Sequence, residues 1–218
     1  MTKTGTATPG SAFDDRAESA MDWARANGKP VGVAVAVVAL AALTWFVAKQ
    51  WRDRRADAAD AALNRARQSY AQGNLPLAQT DLRRVITRFG GSSAGSQATM
   101  LLAQAYYEQG KPDSGLKVLN DGKASGADKA SFEALKGAGL EQQKQYAQAA
   151  ERYRAAAAMT DAKIAKDRYM ADAARALTSG GNKAEAAKIW DALSKDNASS
   201  YAAEARVRLG ELSATPAR

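Results

Sequence analysis

The strongest hydrophobic pattern in the chain is an uninterrupted apolar run near its N-terminus. The 19 residues from Pro30 to Ala48 carry no charge. As a helix they would extend about 28 Å, close to the ~30 Å hydrocarbon core of a bilayer. The run has no polar face, as expected of a helix that is surrounded by apolar material on all sides. The pattern therefore predicts a transmembrane helix over residues 30–48, with a cleaved signal peptide and a buried core helix as the two alternatives.

The residues at the end of this run have side chains that suit a membrane surface. Indole rings favour the headgroup level of a bilayer, and basic side chains pair with lipid phosphates. Four basic residues precede the run and four follow it, so the positive charges leave the orientation of the span open. The residues predicted to lie at the membrane interface are Trp45, Lys49, Trp51, Arg52, Arg54 and Arg55. Residues 1–29 are interpreted as a tail with a short amphipathic helix, and residues 49–57 as a basic juxtamembrane helix.

From residue 58 onward the apolar positions repeat with a regular period. Residues that suit a turn occur 37, 34 and 37 positions apart, at Gly73, Gly110, Lys144 and Gly181. A small residue precedes each turn by seven positions, another follows it by five, and a large apolar residue follows it by nine. Such a period indicates stacked helical hairpins that bury a continuous core. The residues predicted to pack these helices together are Ala66, Ala78, Leu82, Ala103, Tyr106, Gly115, Leu119, Gly137, Leu140, Ala149, Tyr153, Ala174, Leu177, Ala186 and Trp190.

This pattern resembles the tetratricopeptide repeat, a helix-turn-helix unit of about 34 residues. Residues 101–112 match the repeat best, and residues 146–149 and 182–186 match it as well. The resemblance implies an all-α solenoid of about four repeats over residues 58–212, with residues 213–218 as a tail. A generic alanine-rich helical bundle is the alternative.

The ends of the repeats carry two further expectations. The 37-residue periods predict longer loops between repeats, at residues 90–93 and 160–161. Residues 199–212 are predicted to form one last helix that covers the exposed end of the solenoid. The apolar positions of this capping helix are Tyr201, Ala205, Val207, Leu209 and Leu212.

Composition limits the chemistry that the chain can perform. It has no His and no Cys, which excludes thiol chemistry, imidazole catalysis and zinc sites built from those residues. Acidic side chains such as Glu133, Glu141, Asp167 and Asp172 are expected on helix surfaces, paired with basic neighbours. No glycine-rich phosphate-binding motif is present. We therefore expect no catalytic residue, cofactor, metal site or small-molecule substrate, and thus a protein that is not an enzyme.

The net charge of +8 does not indicate a nucleic-acid binder. Basic residues are spread along the helical region without a long run, and aromatic residues make up only 7% of the chain. The tyrosines at repeat positions, Tyr106, Tyr107, Tyr146 and Tyr153, are expected in the core, with a concave peptide-binding groove as the alternative. The sequence thus favours protein partners over nucleic acid.

The order of these segments resembles the YfgM-type family of bacterial inner-membrane proteins. The matching elements are residues 23–29, Gly32 and residues 45–55. The resemblance implies a single-pass inner-membrane protein with a cytoplasmic N-terminus and a periplasmic repeat domain. It also implies a scaffold or chaperone-like accessory factor that associates with Sec translocon subunits, with a membrane-anchored periplasmic chaperone of the prolyl-isomerase class, and with unfolded secreted clients.

Two other functions stay open at this point. The first is a structural subunit of another envelope complex, such as one for outer-membrane assembly or for cell-division coordination. The second is a small anchored enzyme that would use carboxylates only.

Overall fold

The computed structural model describes residues 21–23, 26 and 28–214, and every regular element in this part of the chain is helical. The chain separates into two compact units, Met1–Arg55 and Ala56–Arg218. The helices are α1 (Gly28–Ala71), α2 (Leu75–Phe89), α3 (Ser93–Glu108), α4 (Pro112–Asp121), a 3-10 turn (Gly126–Asp128), α5 (Lys129–Gln142), α6 (Tyr146–Ala158), α7 (Lys163–Ser179), α8 (Lys183–Lys195) and α9 (Ala202–Ser213).

In the first unit, α1 contains a stretch that is long and apolar enough to cross a membrane, judged by length and composition. The Thr44 hydroxyl donates to the Leu40 carbonyl at 2.7 Å, so its polar group is satisfied within the helix. At the end of the stretch, the Lys49 ammonium lies 5.5 Å from the centroid of the Trp45 indole. Most of the predicted N-terminal tail, and the end of the predicted C-terminal tail from residue 215, lie outside the described residues.

The helix α1 has no break at either boundary predicted from the sequence. It passes residue 48 and residue 57 and ends only at Ala71. The segment after the apolar run is rich in alanine and arginine and has no proline or glycine before Gly73, so no residue there terminates a helix. One helix therefore includes the predicted span, the predicted juxtamembrane segment and the first helix of the first repeat.

The second unit consists of helical hairpins, and each hairpin turns at a residue in the left-handed conformation. The four residues are Gly73 (φ 75°), Gly110 (φ 67°), Lys144 (φ 59°) and Gly181 (φ 80°). After each one, a backbone N–H donates to the carbonyl five positions back, which is the bond of a Schellman cap. These bonds run from Asn74 to Ser69 (3.0 Å), Lys111 to Tyr106 (2.9 Å), Gln145 to Leu140 (2.9 Å) and Asn182 to Leu177 (2.9 Å). The predicted turn residues thus end the first helix of every hairpin.

Local sequence signals also start the second helices. The Asn74 side chain accepts from the Leu77 N–H at 3.3 Å, and the Asn182 side chain accepts from the Glu185 N–H at 3.3 Å. Pro112 occupies the first turn of α4, where its missing N–H removes no helical hydrogen bond. These caps set where α2, α4 and α8 begin.

The expectation of longer loops in the 37-residue periods is wrong. Helices α2, α3 and α7 have 15, 16 and 17 residues, whereas α4 has only 10. The longest connection between repeats runs from Asp121 to Lys129, through the 3-10 turn, and it lies in the 34-residue period. The extra residues therefore lengthen helices rather than loops.

The core of the second unit runs along the solenoid as a chain of small clusters rather than as one centre. One cluster joins the first repeat to α3 and includes Leu82, Val85, Phe89 and Leu102. Another holds the last repeats together around Trp190, which is fully buried. Alanines fill most of the remaining buried positions, which lets neighbouring helices pack closely.

Helix α9 covers the end of this core as expected for a capping helix, except at one position. Ala205 is fully buried, and Leu209 and Leu212 pack against the last cluster. Val207 was expected on the same apolar face, but it is 60% exposed. The expectation is wrong because the buried positions follow the 3.6-residue helical period, and residue 207 falls on the opposite side of the helix.

Candidate protein-binding groove

The positions selected by the repeat period are buried or partly buried. Leu140 is partly buried and packs against the cluster around Trp190. The other selected residues are buried: Ala66, Ala78, Leu82, Ala103, Tyr106, Gly115, Leu119, Gly137, Ala149, Tyr153, Ala174, Leu177, Ala186 and Trp190. These side chains therefore stabilise the packing of the solenoid, and other residues form its exposed surface.

Tyr107 links the second repeat to the third. Its hydroxyl donates to the Leu135 carbonyl at 3.1 Å, and a Cβ atom on Gly139 would lie 2.4 Å from that hydroxyl oxygen. On the other side, a Cβ on Gly115 would lie 2.3 Å from the Tyr107 ring. Burial raises the pKa of the Tyr107 phenol, so this group stays a neutral donor. Two glycines thus make room for one buried aromatic ring that holds two repeats in register.

The first helices of the four repeats together form an open groove of about 470 Å³. These first helices are the end of α1, α3, α5 and α7, and Tyr153 of α6 reaches the same space. The lining residues are Arg67, Gln97, Met100, Leu101, Gln104, Ser131, Ala134, Leu135, Ala138, Tyr153, Arg168, Tyr169 and Asp172. A groove that crosses several repeats offers a binding surface much longer than any single helix.

The groove has an apolar floor and polar edges. Its apolar lining residues come from the middle of α3 and α5, where Met100, Leu101 and Leu135 are only partly buried. At one edge the Arg67 guanidinium donates to the side-chain oxygen of Gln97. At the other edge the Arg168 guanidinium lies 4.7 Å from the centroid of the Tyr169 ring. Apolar floors with a few polar groups at the rim suit protein segments with one hydrophobic face.

Two carboxylates with raised pKa values stand at the α7 end of the groove. Burial raises the pKa of Asp172, against the lowering effect of Arg175, whose guanidinium donates to it at 2.5 Å. Burial also raises the pKa of Glu141, and the nearby charge of Asp172 adds to the effect. The Tyr153 hydroxyl donates to Glu141 at 2.6 Å, and burial followed by this bond raises the pKa of the phenol. This cluster ties α5, α6 and α7 together beside the groove.

A second polar cluster holds α9 against α7. The Arg175 guanidinium donates two hydrogen bonds to the Glu204 carboxylate, at 2.9 and 2.6 Å. It also lies 5.6 Å from the Tyr201 ring and 5.9 Å from the Trp190 ring. Hydrogen bonding to Arg175 lowers the pKa of Glu204, so the pair stays charged at neutral pH. Arg175 therefore has a structural role in joining the capping helix to the last repeat.

The structure offers little for catalysis or metal binding within the residues that it describes. In this part of the chain no group of three or more His, Cys, Asp or Glu side chains could hold a metal ion. The carboxylates near the groove are already paired with Arg175 and Tyr153. The groove offers apolar side chains together with guanidinium, amide and hydroxyl groups as possible contacts.

Most residues of the groove were not among the sequence predictions; Tyr153 was both a predicted packing residue and a possible groove residue. A usable signal was nevertheless present. Groove positions recur thirteen residues before the turns, at Gln97, Ser131 and Arg168, and nine residues before them, at Leu101, Leu135 and Asp172. The repeat period therefore marks groove positions as well as buried packing positions, and these recurring positions are the sequence signal for the groove.

Comparison with known proteins identifies the family. Residues 55–171 match the tetratricopeptide repeat-like domain. The chain belongs to this family. Two solved structures have the same fold: nearly identical TPR-like repeats of kinesin light chain type from Podosopora anserina, and a variant of the same repeats. Each of the two is 14% identical to this chain, with TM-scores of 0.55 and 0.56. The matched region covers 70% of this chain and 84% of the solved chain in both cases.

At this level of identity the similarity to solved structures establishes the fold alone. No curated protein sequence matches the chain. The tetratricopeptide repeat-like fold is that of a scaffold for protein–protein interaction, built from stacked helices that present an extended surface.

Proposed function

We propose that this chain is a membrane-anchored scaffold that binds an apolar segment of another protein in the groove between its first helices. The groove itself is the observation that supports the proposal most directly. Partly exposed apolar side chains from consecutive repeats line it. The carboxylates beside it are already hydrogen-bonded within the fold, Glu141 to Tyr153 and Asp172 to Arg175. A partner segment would cover Met100, Leu101 and Leu135 and place its polar side toward Arg67 and Arg168.

Site-specific photo-crosslinking tests the groove. A photoreactive amino acid replaces Gln104, which is exposed and lines the groove, in the full chain expressed in cells. The control position is Gln148, which is exposed on α6 and does not line the groove. We expect a defined cross-linked partner from position 104 and none from position 148. Cross-links from position 148 with none from position 104 would place the binding surface elsewhere.

The anchor in this proposal is the apolar stretch of α1. Its length and composition, and the Trp and Lys or Arg side chains that follow it, support insertion in a bilayer. The full chain should remain in the membrane fraction after a carbonate wash, whereas a chain lacking residues 1–48 should be released. If the shortened chain stays with the membrane, the single-anchor proposal fails.

We further propose, from the YfgM-type resemblance, that the N-terminus is cytoplasmic and the repeats are periplasmic. The chain has no cysteine, so a single Ala184→Cys substitution on the exposed surface of α8 gives a clean topology probe. An impermeant maleimide should label this position in intact spheroplasts. Labelling only after lysis would reverse the orientation and remove the periplasmic role.

The same resemblance supports a specific partner set. In this proposal the scaffold associates with Sec translocon subunits and a membrane-anchored periplasmic chaperone, and holds unfolded secreted clients. Purification of the full chain in mild detergent, followed by mass spectrometry, tests the assignment. Recovery of Sec subunits supports it, and their absence alongside outer-membrane assembly or cell-division proteins would favour a structural subunit of one of those complexes.

A further inference from the structure

The residues that line the groove carry more positive than negative charge. They include two guanidinium groups, Arg67 and Arg168, and one carboxylate, Asp172. That carboxylate is already bonded within the fold, because it accepts from Arg175 at 2.5 Å. The lining residues therefore present an excess of positive charge to whatever enters the groove.

Arg67 lies at the α1 end of the groove and is exposed. Its guanidinium donates to the side-chain oxygen of Gln97, which is a neutral acceptor. The Gln97 amide in turn donates to the Ser93 hydroxyl at 3.0 Å, so both ends of this amide are held. A guanidinium has five N–H groups in a planar fork, and the bond to Gln97 leaves others for the carboxylate of a ligand.

Arg168 lies at the opposite end of the groove, on α7, and is also exposed. Its guanidinium stacks on the Tyr169 ring at 4.7 Å from the centroid, which limits the positions that it can take. The charge of Arg168 acts to lower the pKa of Asp172 against the effect of burial, but the carboxylate bonds directly to Arg175. Arg168 thus presents a positive group at this end as Arg67 does at the other.

An apolar floor separates the two arginines. It consists of Met100 and Leu101 on α3 and Leu135 on α5, all partly buried. The flexible methionine can adapt to apolar side chains of different shapes. A nucleic acid would bring phosphate charges along its whole length and leave this floor uncovered, whereas a protein segment can combine an apolar centre with charged ends. The order of cation, apolar floor and cation therefore favours a protein segment.

We propose that the groove binds a protein segment that has a side-chain carboxylate at each end of a short apolar stretch. One carboxylate would pair with Arg67 and the other with Arg168, and the apolar stretch would cover the floor. A polypeptide has only one C-terminal carboxylate, so two separated cations call for acidic side chains. The inference rests on the proposed groove function and adds the chemistry of the partner to it.

The size of the groove limits the length of that segment. Neighbouring packed helices lie about 8–10 Å apart, so three steps from α1 to α7 separate the arginines by about 24–30 Å. An extended segment advances about 3.3 Å per residue, so about eight or nine residues would connect its two carboxylates.

The experiment uses the full chain in detergent with an environment-sensitive fluorophore on a Gln104→Cys substitution. Gln104 is exposed and lines the groove, and the chain has no other cysteine. Three synthetic peptides of about ten residues share a centre of Leu and Ala and carry Asp, Asn or Lys at both ends. Their termini are blocked, so only side chains carry charge. A fluorophore on Gln148→Cys, on α6 and outside the groove lining, should respond to none of them.

We expect the Asp peptide to bind about fivefold more tightly than the Asn peptide at low salt, because each exposed ion pair contributes modestly. The Lys peptide should bind more weakly than the Asn peptide, since like charges meet at both ends. Near 1 M salt the three affinities should converge.

Matched variants assign the preference to the two arginines. Arg67→Gln with Arg168→Gln should reduce the affinity for the Asp peptide to that for the Asn peptide. Lys188→Gln with Lys195→Gln removes the same charge from the exposed surface of α8 and should retain the fivefold preference. Circular dichroism checks the fold of both. Arg67→Gln alone should lose about twofold, which keeps the test decisive if the double substitution disturbs the fold.

The results that would overturn the inference are distinct from one another. Equal binding of the Asp and Asn peptides, or tighter binding of the Lys peptide, contradicts it while the groove remains a site for apolar segments. An Asp preference that survives the double arginine substitution places the acid-binding residues elsewhere. An Asn peptide with a free C-terminal carboxylate that binds as tightly as the Asp peptide identifies a chain terminus as the ligand instead.

A fluorophore at position 104 that responds to none of the peptides also contradicts the inference. Photo-crosslinking from the same position then shows separately whether the groove binds a partner, so the failure of the inference and the failure of the proposed function are distinguishable.

Discussion

The ring of Tyr153 lies against Gly137 so closely that no side chain fits between them. A Cβ atom added to Gly137 would stand 2.9 Å from the Cε1 atom of the ring and 3.0 Å from its Cζ atom. The Tyr153 hydroxyl donates to Glu141 at 2.6 Å, which limits how far the ring can move away. Helices α5 and α6 therefore meet at a position where glycine is required by packing.

We predict that Gly137→Ala destabilises the protein by about 1–2 kcal/mol. Overpacking costs about 1–3 kcal/mol, and the better helix propensity of alanine offsets up to about 1 kcal/mol of it. The matched control is Gly210→Ala in α9, where the added Cβ meets open space. That change should stabilise by about 0.5–1 kcal/mol, since only propensity acts. Denaturant unfolding of the full chain in detergent, followed by circular dichroism, measures both, and equal effects would contradict the packing argument.

A second prediction separates the buried and exposed sides of α3. Ala103 is fully buried, and its carbonyl oxygen would lie 3.0 Å from a Cβ atom on Gly115. Ala103→Leu inserts three heavy atoms there and should destabilise by about 1–3 kcal/mol. Gln104→Leu changes an exposed residue and should alter stability by less than about 0.5 kcal/mol.

The same pair of variants also tests the groove. Because Gln104 lines the groove and Ala103 does not, Gln104→Leu should change partner binding while leaving the unfolding midpoint in place. If thermal unfolding by circular dichroism gives the same midpoint for both variants, Ala103 and Gln104 do not lie on opposite sides of α3, and the predicted repeat register is incorrect.

The turns and the helical content could be predicted from the sequence because each rests on a local or periodic signal. Small residues and turn residues at a regular period define the hairpins, and Gly73, Gly110 and Gly181 can adopt a left-handed conformation without strain. The continuity of α1 could not be predicted in this way, since a change from apolar to polar composition marks a change of environment and not a helix end. Most of the groove residues were missed because they are partly exposed, and the hydrophobic pattern reports buried positions only.

Lys144 is the one described residue other than glycine with a positive φ, and it carries a third prediction. Its φ of 59° is the same conformation that Gly110 adopts at 67° in the preceding repeat. A residue with a side chain costs about 1–2 kcal/mol in this conformation, and glycine avoids that cost. Part of this gain is offset because glycine loses more conformational entropy on folding. Lys144→Gly should therefore stabilise by about 0.5–1 kcal/mol.

The reverse change at the equivalent turn is the control for Lys144. Gly110→Ala adds a Cβ atom where φ is 67°, with nothing within 4 Å, so only the backbone conformation is affected. It should destabilise by about 1 kcal/mol. Thermal unfolding measures both variants, and shifts of the same sign would show that the turn conformation does not determine stability here.

The fourth prediction concerns pH and two glutamates of α5 whose pKa values shift in opposite directions. Burial and the charge of Asp172 raise the pKa of Glu141 above its ordinary value of 4.5, although the bond from Tyr153 opposes them. For Glu133 burial has the largest effect and acts upward, but hydrogen bonds from Lys136 and Arg152 together outweigh it and lower the pKa. The two residues therefore respond to pH with opposite effects on the free energy of unfolding.

As the pH rises, the Glu141 carboxyl ionises in the unfolded chain before it ionises in the folded protein. The folded state therefore loses stability from about pH 4.5 upward, until the Glu141 carboxyl is ionised in both states. Glu141→Gln lacks this loss and can still accept from Tyr153, so its stability relative to the parent should increase between about pH 4.5 and pH 7.

For Glu133 the carboxyl ionises first in the folded protein. Its stabilising effect is therefore complete above the unfolded pKa, and it is lost as the pH falls through the folded pKa. As the pH rises through the folded pKa of Glu133 to about 4.5, Glu133→Gln should therefore become less stable relative to the parent, and the difference should stay constant above that pH. Urea unfolding of the full chain and both variants at a series of pH values measures these differences; curves with the same slope for the two variants would contradict the opposite shifts.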